Sequence, residues 1–307
     1  MVTRAELVQS ASTDPKKAWK MYATPFQYMM GITLVVLTCG ELILARAVRL
    51  GGLSQLLAAW PGLLLLAGVL CYCIVRSFSR LIETCLLAIW AVLFTNTLTI
   101  LILIAGRSPF PLIDAALARM DARAHFSTLY FVHLVARAPL TAAGLAVVYS
   151  VLPALIVAAI LIPALSGHTE TARRYVMSII VAAILTAACS ALWPAVGPWT
   201  MQAIRPTREQ AGIAAYLIRL KSSTPVDIDL LNAGIVSFPS FHVVLAILSA
   251  LSLSCIRRLR AVVWVLAGLI CISTITTGWH YGIDVLAGLM LMAVTVYATN
   301  RIPCVYP

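Results

Sequence analysis

Long apolar stretches recur along this 307-residue chain, separated by short segments that carry most of its charge. A helix that crosses a bilayer needs about 20 predominantly apolar residues. Reading for runs of that kind predicts eight spans, at roughly 27–46, 55–75, 83–105, 139–165, 175–193, 239–256, 261–279 and 283–300. Pro139, Pro153 and Pro163 punctuate the fourth run. Proline lacks the N–H that an interior helical position donates, so this run is expected as a broken helix. Two longer connections, about 106–138 and 194–238, mix polar and apolar residues at helical spacing. Within them, 111–126 and 208–220 are expected as amphipathic helices lying at the membrane surface.

Composition supports this pattern. Apolar residues make up 62% of the chain and charged ones 11%, with a mean hydropathy of +0.97. Soluble domains sit near 45–50% and about 25%. The values exclude a soluble enzyme, a disordered chain and a disulfide-stapled secreted domain, and strands of a membrane barrel would show little net hydropathy. The expected fold is therefore all-α, a polytopic transmembrane helix bundle of about eight spans. Seven of the eight cysteines lie in or beside apolar runs, as packing residues do, and none pairs into zinc-ligand spacing. No metal site is expected.

The net charge is +11. The basic residues sit between apolar runs and not on one compact face, so nucleic acid is not an expected partner. They mark topology instead. Lys16, Lys17 and Lys20 precede the first span; Arg76 and Arg80 separate the second and third. Arg173 and Arg174 precede the fifth, and Arg257, Arg258 and Arg260 fill the turn between the sixth and seventh. With eight spans all four groups share one side, which the positive-inside rule assigns to the cytoplasm together with both termini. Arg46 and Arg49 fall on the other side. Residues 1–26 are expected as a basic cytoplasmic tail without the apolar core of a cleaved signal, and 27–106 as three N-terminal spans. Residues 107–300 form the remaining membrane domain, followed by a tail at 301–307. The two long connections then lie on the outer face, where Trp193 and Trp199 are expected as interfacial anchors.

Ionisable side chains at the edge of a membrane bundle are candidates for function. Three stand out. His280 and Asp284 occupy W-H-Y-G-I-D, an i,i+4 pair that shares one helix face. A carboxylate there can hold one imidazole nitrogen protonated and aim the other, which prepares a histidine as a nucleophile. The same spacing also suits a plain hydrogen-bonded pair at a helix end. His242 stands in S-F-P-S-F-H, where Ser237, Pro239 and Ser240 read as helix-start residues. Free backbone N–H groups in a first turn form a natural phosphate cradle. Span six would run inward from His242 and span seven would return outward to His280. That path brings both imidazoles to one membrane level, on the outer face. Two histidines, one acid and a helix N-terminus are the parts of a phosphoryl-transfer site that needs no metal or other cofactor.

These residues resemble a known family. P-S-F-H at 239–242, with Ser273, His280 and Asp284 spaced S-x(6)-H-x(3)-D, is similar to the second and third signatures of the type 2 phosphatidic acid phosphatase superfamily. The branch most resembled contains the inositol phosphorylceramide synthases, in which a P-x-x-G-P element precedes the second signature, as Pro194–Pro198 does here. The likeness runs over about 107–295. It implies a six-helix phosphatase-type core and a phosphohistidine mechanism on a phospholipid or sphingolipid, acting as headgroup transferase. Carried onto this chain, His280 is the nucleophile, Asp284 orients it, and His242 is the general acid and then base. Ser240 sits at the phosphate pocket. The chain departs from the broad family in three places: Thr274 replaces an arginine, Phe241 a glycine, and Pro198 the lysine of the first signature. Arg137, Arg205 and Arg208 are the candidate replacements for that cationic clamp, and Ser273 is a further candidate substrate contact. Two alternatives stay open: a lipid phosphate phosphatase that uses water as acceptor, and a non-catalytic lipid-binding or transport protein on the same fold.

Overall fold

A computed structural model of the chain describes residues 24–52, 59–222, 224–229 and 234–302. The expected basic tail, including Lys16, Lys17 and Lys20, lies outside the described residues, as do the first residues of the second expected span and the last of the C-terminal tail. Within them are twelve α-helices: α1 Pro25–Ala47, α2 Trp60–Val75, α3 Ser79–Gly106, α4 Asp114–Arg123, α5 Thr128–Ala136, α6 Pro139–Ser150, α7 Leu152–Leu165, α8 Thr169–Leu192, α9 Arg208–Leu220, α10 Phe241–Leu253, α11 Arg260–Thr276 and α12 Gly282–Thr299. The only strands among the described residues are two-residue pieces, Leu50–Gly51 (β1) paired parallel with Val226–Asp227 (β2). The fold is all-α, as expected.

Every apolar run became helix, but the count of about eight spans is not confirmed. Four helices (α1, α3, α8 and α12) are long and apolar enough to cross a membrane, and α6 with α7 makes a fifth if that bent pair is one span. The other three are short: α2, α10 and α11 have 16, 13 and 17 residues. At 1.5 Å per residue α10 reaches about 20 Å, against about 30 Å of hydrocarbon. The break in the fourth run falls where the prolines indicated. α6 and α7 meet at Val151 with a bend of 44°, and Pro153 starts the second piece, where a missing N–H costs nothing.

α8 is the central helix. It packs against α3, α7, α10 and α12, while α10 also packs against α7, α11 and α12. Its buried face is built of small side chains, among them Ala172, Ala182, Ala183, Thr186, Ala187 and Ser190, which let helix backbones approach closely without a water-driven term between them. At one end of the bundle, Arg173 at the start of α8 pairs with Glu83 at the start of α3 at 2.8 Å. Arg174 donates to Asn300 just beyond α12 at 3.2 Å. Both arginine groups at 76–80 and 173–174 therefore gather where α12 ends. The starts of α10 and α12, which carry the histidine motifs, lie at the opposite end. The two amphipathic helices expected in the long connections form as α4 and α9 and pack over that second end. Thr207 and Gln210 close a reciprocal capping box at the start of α9.

Candidate active site

Three segments meet at the start of α12: the loop before α10, the loop between α11 and α12, and the P-x-x-G-P element. His242, in the first turn of α10, and His280, in the loop before α12, bring their rings to 6.0 Å between centroids, tilted by 56°. That separation leaves room for one tetrahedral group in reach of both. Tyr149 of α6 stacks on His242 at 4.5 Å and on Trp279 at 5.9 Å, and Trp199 meets Trp279 edge-on at 5.6 Å. Trp199 therefore belongs to the wall of the site, whereas Trp193, 48% exposed, stands where an interfacial anchor would. A cavity of about 130 Å³ opens beside the histidines, lined also by Tyr149, Val196, Glu209 and Ser237.

The tautomer of His280 follows from its neighbours. Its Nδ1 lies 2.9 Å from the Ser237 carbonyl oxygen. A carbonyl only accepts, so Nδ1 carries the proton and Nε2 presents its lone pair. Asp284, expected to do this, stands further off at 3.4 Å from Nδ1. Its Oδ2 instead accepts from the Tyr281 N–H at 2.9 Å and from the Ser237 hydroxyl at 3.3 Å. Asp284 thus holds the segment that holds the imidazole. The ring is buried, 3% exposed. Burial pulls its pKa down from 6.5 to about 4 against the opposing pull of the Ser237 carbonyl, so His280 is neutral at pH 7. Its backbone carbonyl accepts from the Thr128 hydroxyl of α5 at 3.3 Å.

The two helix starts at this site differ. At α12 the free N–H groups are filled by carboxylates. Asp284 takes Tyr281, and Asp121 of α4 takes Gly282 at 2.8 Å and Ile283 at 2.9 Å. At α10 the N-cap is Ser240, whose side chain makes no capping bond. Its hydroxyl is buried without a partner. The first turn of α10 therefore keeps a buried hydroxyl that no group among the described residues pairs, at a helix end whose dipole favours an anion; Ser240 itself does not line the cavity. Close approach of the two helices depends on Gly288. A Cβ there would come within 2.7 Å of the Ser240 carbonyl oxygen.

Two acids that the sequence reading passed over hold this end together. Asp114, at the start of α4, accepts from the Gly197 N–H at 2.8 Å and the Val196 N–H at 3.0 Å. The Tyr281 hydroxyl lies 3.3 Å from Asp114 and 3.2 Å from the Gly197 carbonyl oxygen. Gly197 itself has φ 147° with the Trp199 ring folded over it; a Cβ would meet that ring at 2.4 Å. Asp114 and Asp121 stand seven residues apart, two helical turns, so they share the buried face of α4. That i,i+7 acidic spacing was the available signal. What it lacked was any hint of which backbone groups it would meet.

The remaining expected contacts lie elsewhere. Arg137, Arg205 and Arg208 are exposed, and none lines the cavity among the described residues. The charged lining residue is Glu209. Ser273 is buried with its hydroxyl donating to the Ile270 carbonyl of its own helix at 2.7 Å. Among the described residues no cluster of His, Cys, Asp and Glu has the makings of a metal site.

Comparison with known proteins agrees with the motif reading at the level of the superfamily. A family model described as the PAP2 superfamily matches residues 115–298, more than half of the chain, including both histidines and the P-x-x-G-P element. No curated protein and no solved structure matches the chain.

Proposed function

The chain belongs to the PAP2 superfamily, and from that premise we propose that it is a membrane enzyme that transfers a phospho-headgroup of a lipid through a phosphohistidine on His280. The observation that carries this reading is the pair of imidazoles 6.0 Å apart, one with its Nδ1 committed to Ser237. In the first step His280 Nε2 forms a bond to phosphorus as the bond from phosphorus to the leaving oxygen breaks. His242, protonated as the phosphate anion binds beside it, gives that oxygen its proton. The Nδ1 proton stays on the ring between the Ser237 carbonyl and Asp284, which offset the charge of the imidazolium. The first turn of α10 and the Ser240 hydroxyl receive the phosphoryl oxygens. In the second step His242 takes the proton of the acceptor hydroxyl, whose oxygen attacks phosphorus while the P–N bond breaks. The route as proposed uses no metal and no organic cofactor.

The acceptor separates two versions. A lipid hydroxyl gives a headgroup transferase of the kind the inositol phosphorylceramide synthase-like motifs imply, and water gives a phosphatase. The first is favoured by P-S-F-H with the preceding P-x-x-G-P element, which Asp114 locks against Tyr281. The clustering of the arginine groups at the far end of the bundle supports a site on the extracytoplasmic face with the termini inside.

The test is an assay of purified protein with a lipid phosphodiester and a lipid phosphomonoester, each with and without ceramide or diacylglycerol. A new headgroup-bearing lipid supports the transferase; free phosphate alone assigns the hydrolase. Wild type quenched in alkaline detergent, where a P–N bond survives, is expected to retain phosphorus on a nitrogen that acid then releases, and His280→Ala to retain none and to lose several orders of magnitude in rate. Unchanged turnover in His280→Ala would overturn the mechanism.

A further inference from the structure

A second cavity, of about 200 Å³, lies between α3, α7, α8 and α10. We propose that it holds a hydrocarbon chain of the lipid whose phosphate is worked on at His280; the inference rests on the lipid-phosphate reading above. Its walls are Leu98 of α3, Ile160 of α7, Ile180 of α8 and Leu245 of α10, with no charged residue among them. Thr95 and Thr99 also line it, but both hydroxyls are spent within α3, on the Ala91 and Thr95 carbonyls at 2.7 and 2.8 Å. The lining thus offers nothing to a headgroup and everything to methylenes. An apolar cavity of about 150 Å³ is already enough for a benzene ring.

Shape and place identify the occupant. Along α3 the lining runs from Ala91 to Ile102, about 16 Å at 1.5 Å per residue, so the space is a slot parallel to the helices. Its outer end reaches the first turn of α10, which also carries His242. Phe241 lines the slot and is followed directly by His242, which lines the other cavity. Ile102 lines the slot and packs against the cluster that contains Val196 and Ile213, both lining residues of the histidine cavity. From Phe241 the slot descends one turn to Leu245, toward the bundle centre. A phosphate at the α10 N-terminus therefore has a hydrocarbon slot beside it that runs in the direction a lipid tail must take. One wall, α3, lies before the residues that match the superfamily, so the N-terminal helices of this chain would set which tails it accepts.

The experiment compares a long-chain phosphatidate in detergent micelles with its short-chain, water-soluble counterpart. Thr99→Phe and Ile179→Phe narrow the slot from two sides at positions that are only partly buried. Each is expected to cut kcat/KM for the long-chain substrate about tenfold or more, the loss when two methylenes give up apolar contact, and to leave the short-chain substrate unchanged. Equal effects on both substrates, or none on either, would overturn the inference. If wild-type protein turns over neither substrate, nor a lipid phosphodiester with ceramide or diacylglycerol as acceptor, the lipid-phosphate reading fails by itself. The slot is then judged by a long-chain phosphatidate with a photoreactive group at the tail end. Cross-links to α3 or α8 within the slot uphold it, and cross-links confined to other surfaces sink it.

Discussion

Replacing Asp114 by alanine tests whether the outer loops are held by one buried carboxylate. The side chain is 2% exposed and accepts from Gly197 at 2.8 Å and Val196 at 3.0 Å. Both donors are backbone N–H groups in buried residues. Each would lose its acceptor in Asp114→Ala, at about 1–3 kcal/mol per orphaned group, and the Tyr281 hydroxyl would lose one of its two acceptors. The sum is about 2–6 kcal/mol, a large part of the about 5–15 kcal/mol that typically holds a fold together. Asp114→Asn keeps one acceptor oxygen and should cost about half as much. The assay is denaturant unfolding in detergent micelles, followed by turnover of the folded fraction. Because Asp114 joins P-x-x-G-P to Tyr281, the residue after His280, kcat should fall with stability in both variants, and less in Asp114→Asn. Alanine within about 0.5 kcal/mol of wild type, the range of neutral surface changes, would refute the accounting. A loss of stability with full kcat in the folded fraction would refute the link to the histidines.

Other consequences can be checked separately. His242→Ala should slow the first step by about 10²–10⁴, the usual worth of a positioned general acid, and a substrate with a leaving group that needs no proton should recover most of that loss in single-turnover assays. His280 stays neutral down to about pH 4, so the acid limb of kcat/KM that reports the nucleophile should lie well below 6.5; a limb near 6.5 would contradict its burial. The same depressed pKa has a sign for stability: between about 6.5 and 4 the unfolded chain binds a proton that the folded one does not, so the contribution is full above 6.5 and is lost as pH falls toward 4. Gly288→Ala forces a Cβ to 2.7 Å from the Ser240 carbonyl, and should separate α12 from α10 and cost about 1–3 kcal/mol as overpacking does, read as a lowered unfolding midpoint together with lost turnover. Ser240→Ala removes a buried hydroxyl that has no partner, so it should leave stability unchanged or raised while weakening phosphate binding, seen as a higher KM or poorer competition by inorganic phosphate.

The sequence alone determined the class of fold and singled out the two histidines that the structure brings together. Hydrophobic period and run length are local properties, and they located each apolar helix, the break near Pro153 and the surface helices α4 and α9. The i,i+4 spacing of His280 and Asp284 was equally local. Span number was not settled by run length: α10 is 13 residues long, between Ser240 at its N-cap position and Ser254 at its C-cap. Only tertiary structure decided which partner each polar group takes. The proton on His280 Nδ1 is fixed by a carbonyl 43 residues away, and Asp121 caps a helix 161 residues away. Carbonyl and amide groups are the same in every residue, so no sequence pattern announces which of them a carboxylate or an imidazole will meet. Packing decided that, by stacking α4 and the P-x-x-G-P loop over the start of α12 and leaving the Ser240 hydroxyl at the start of α10 unpaired.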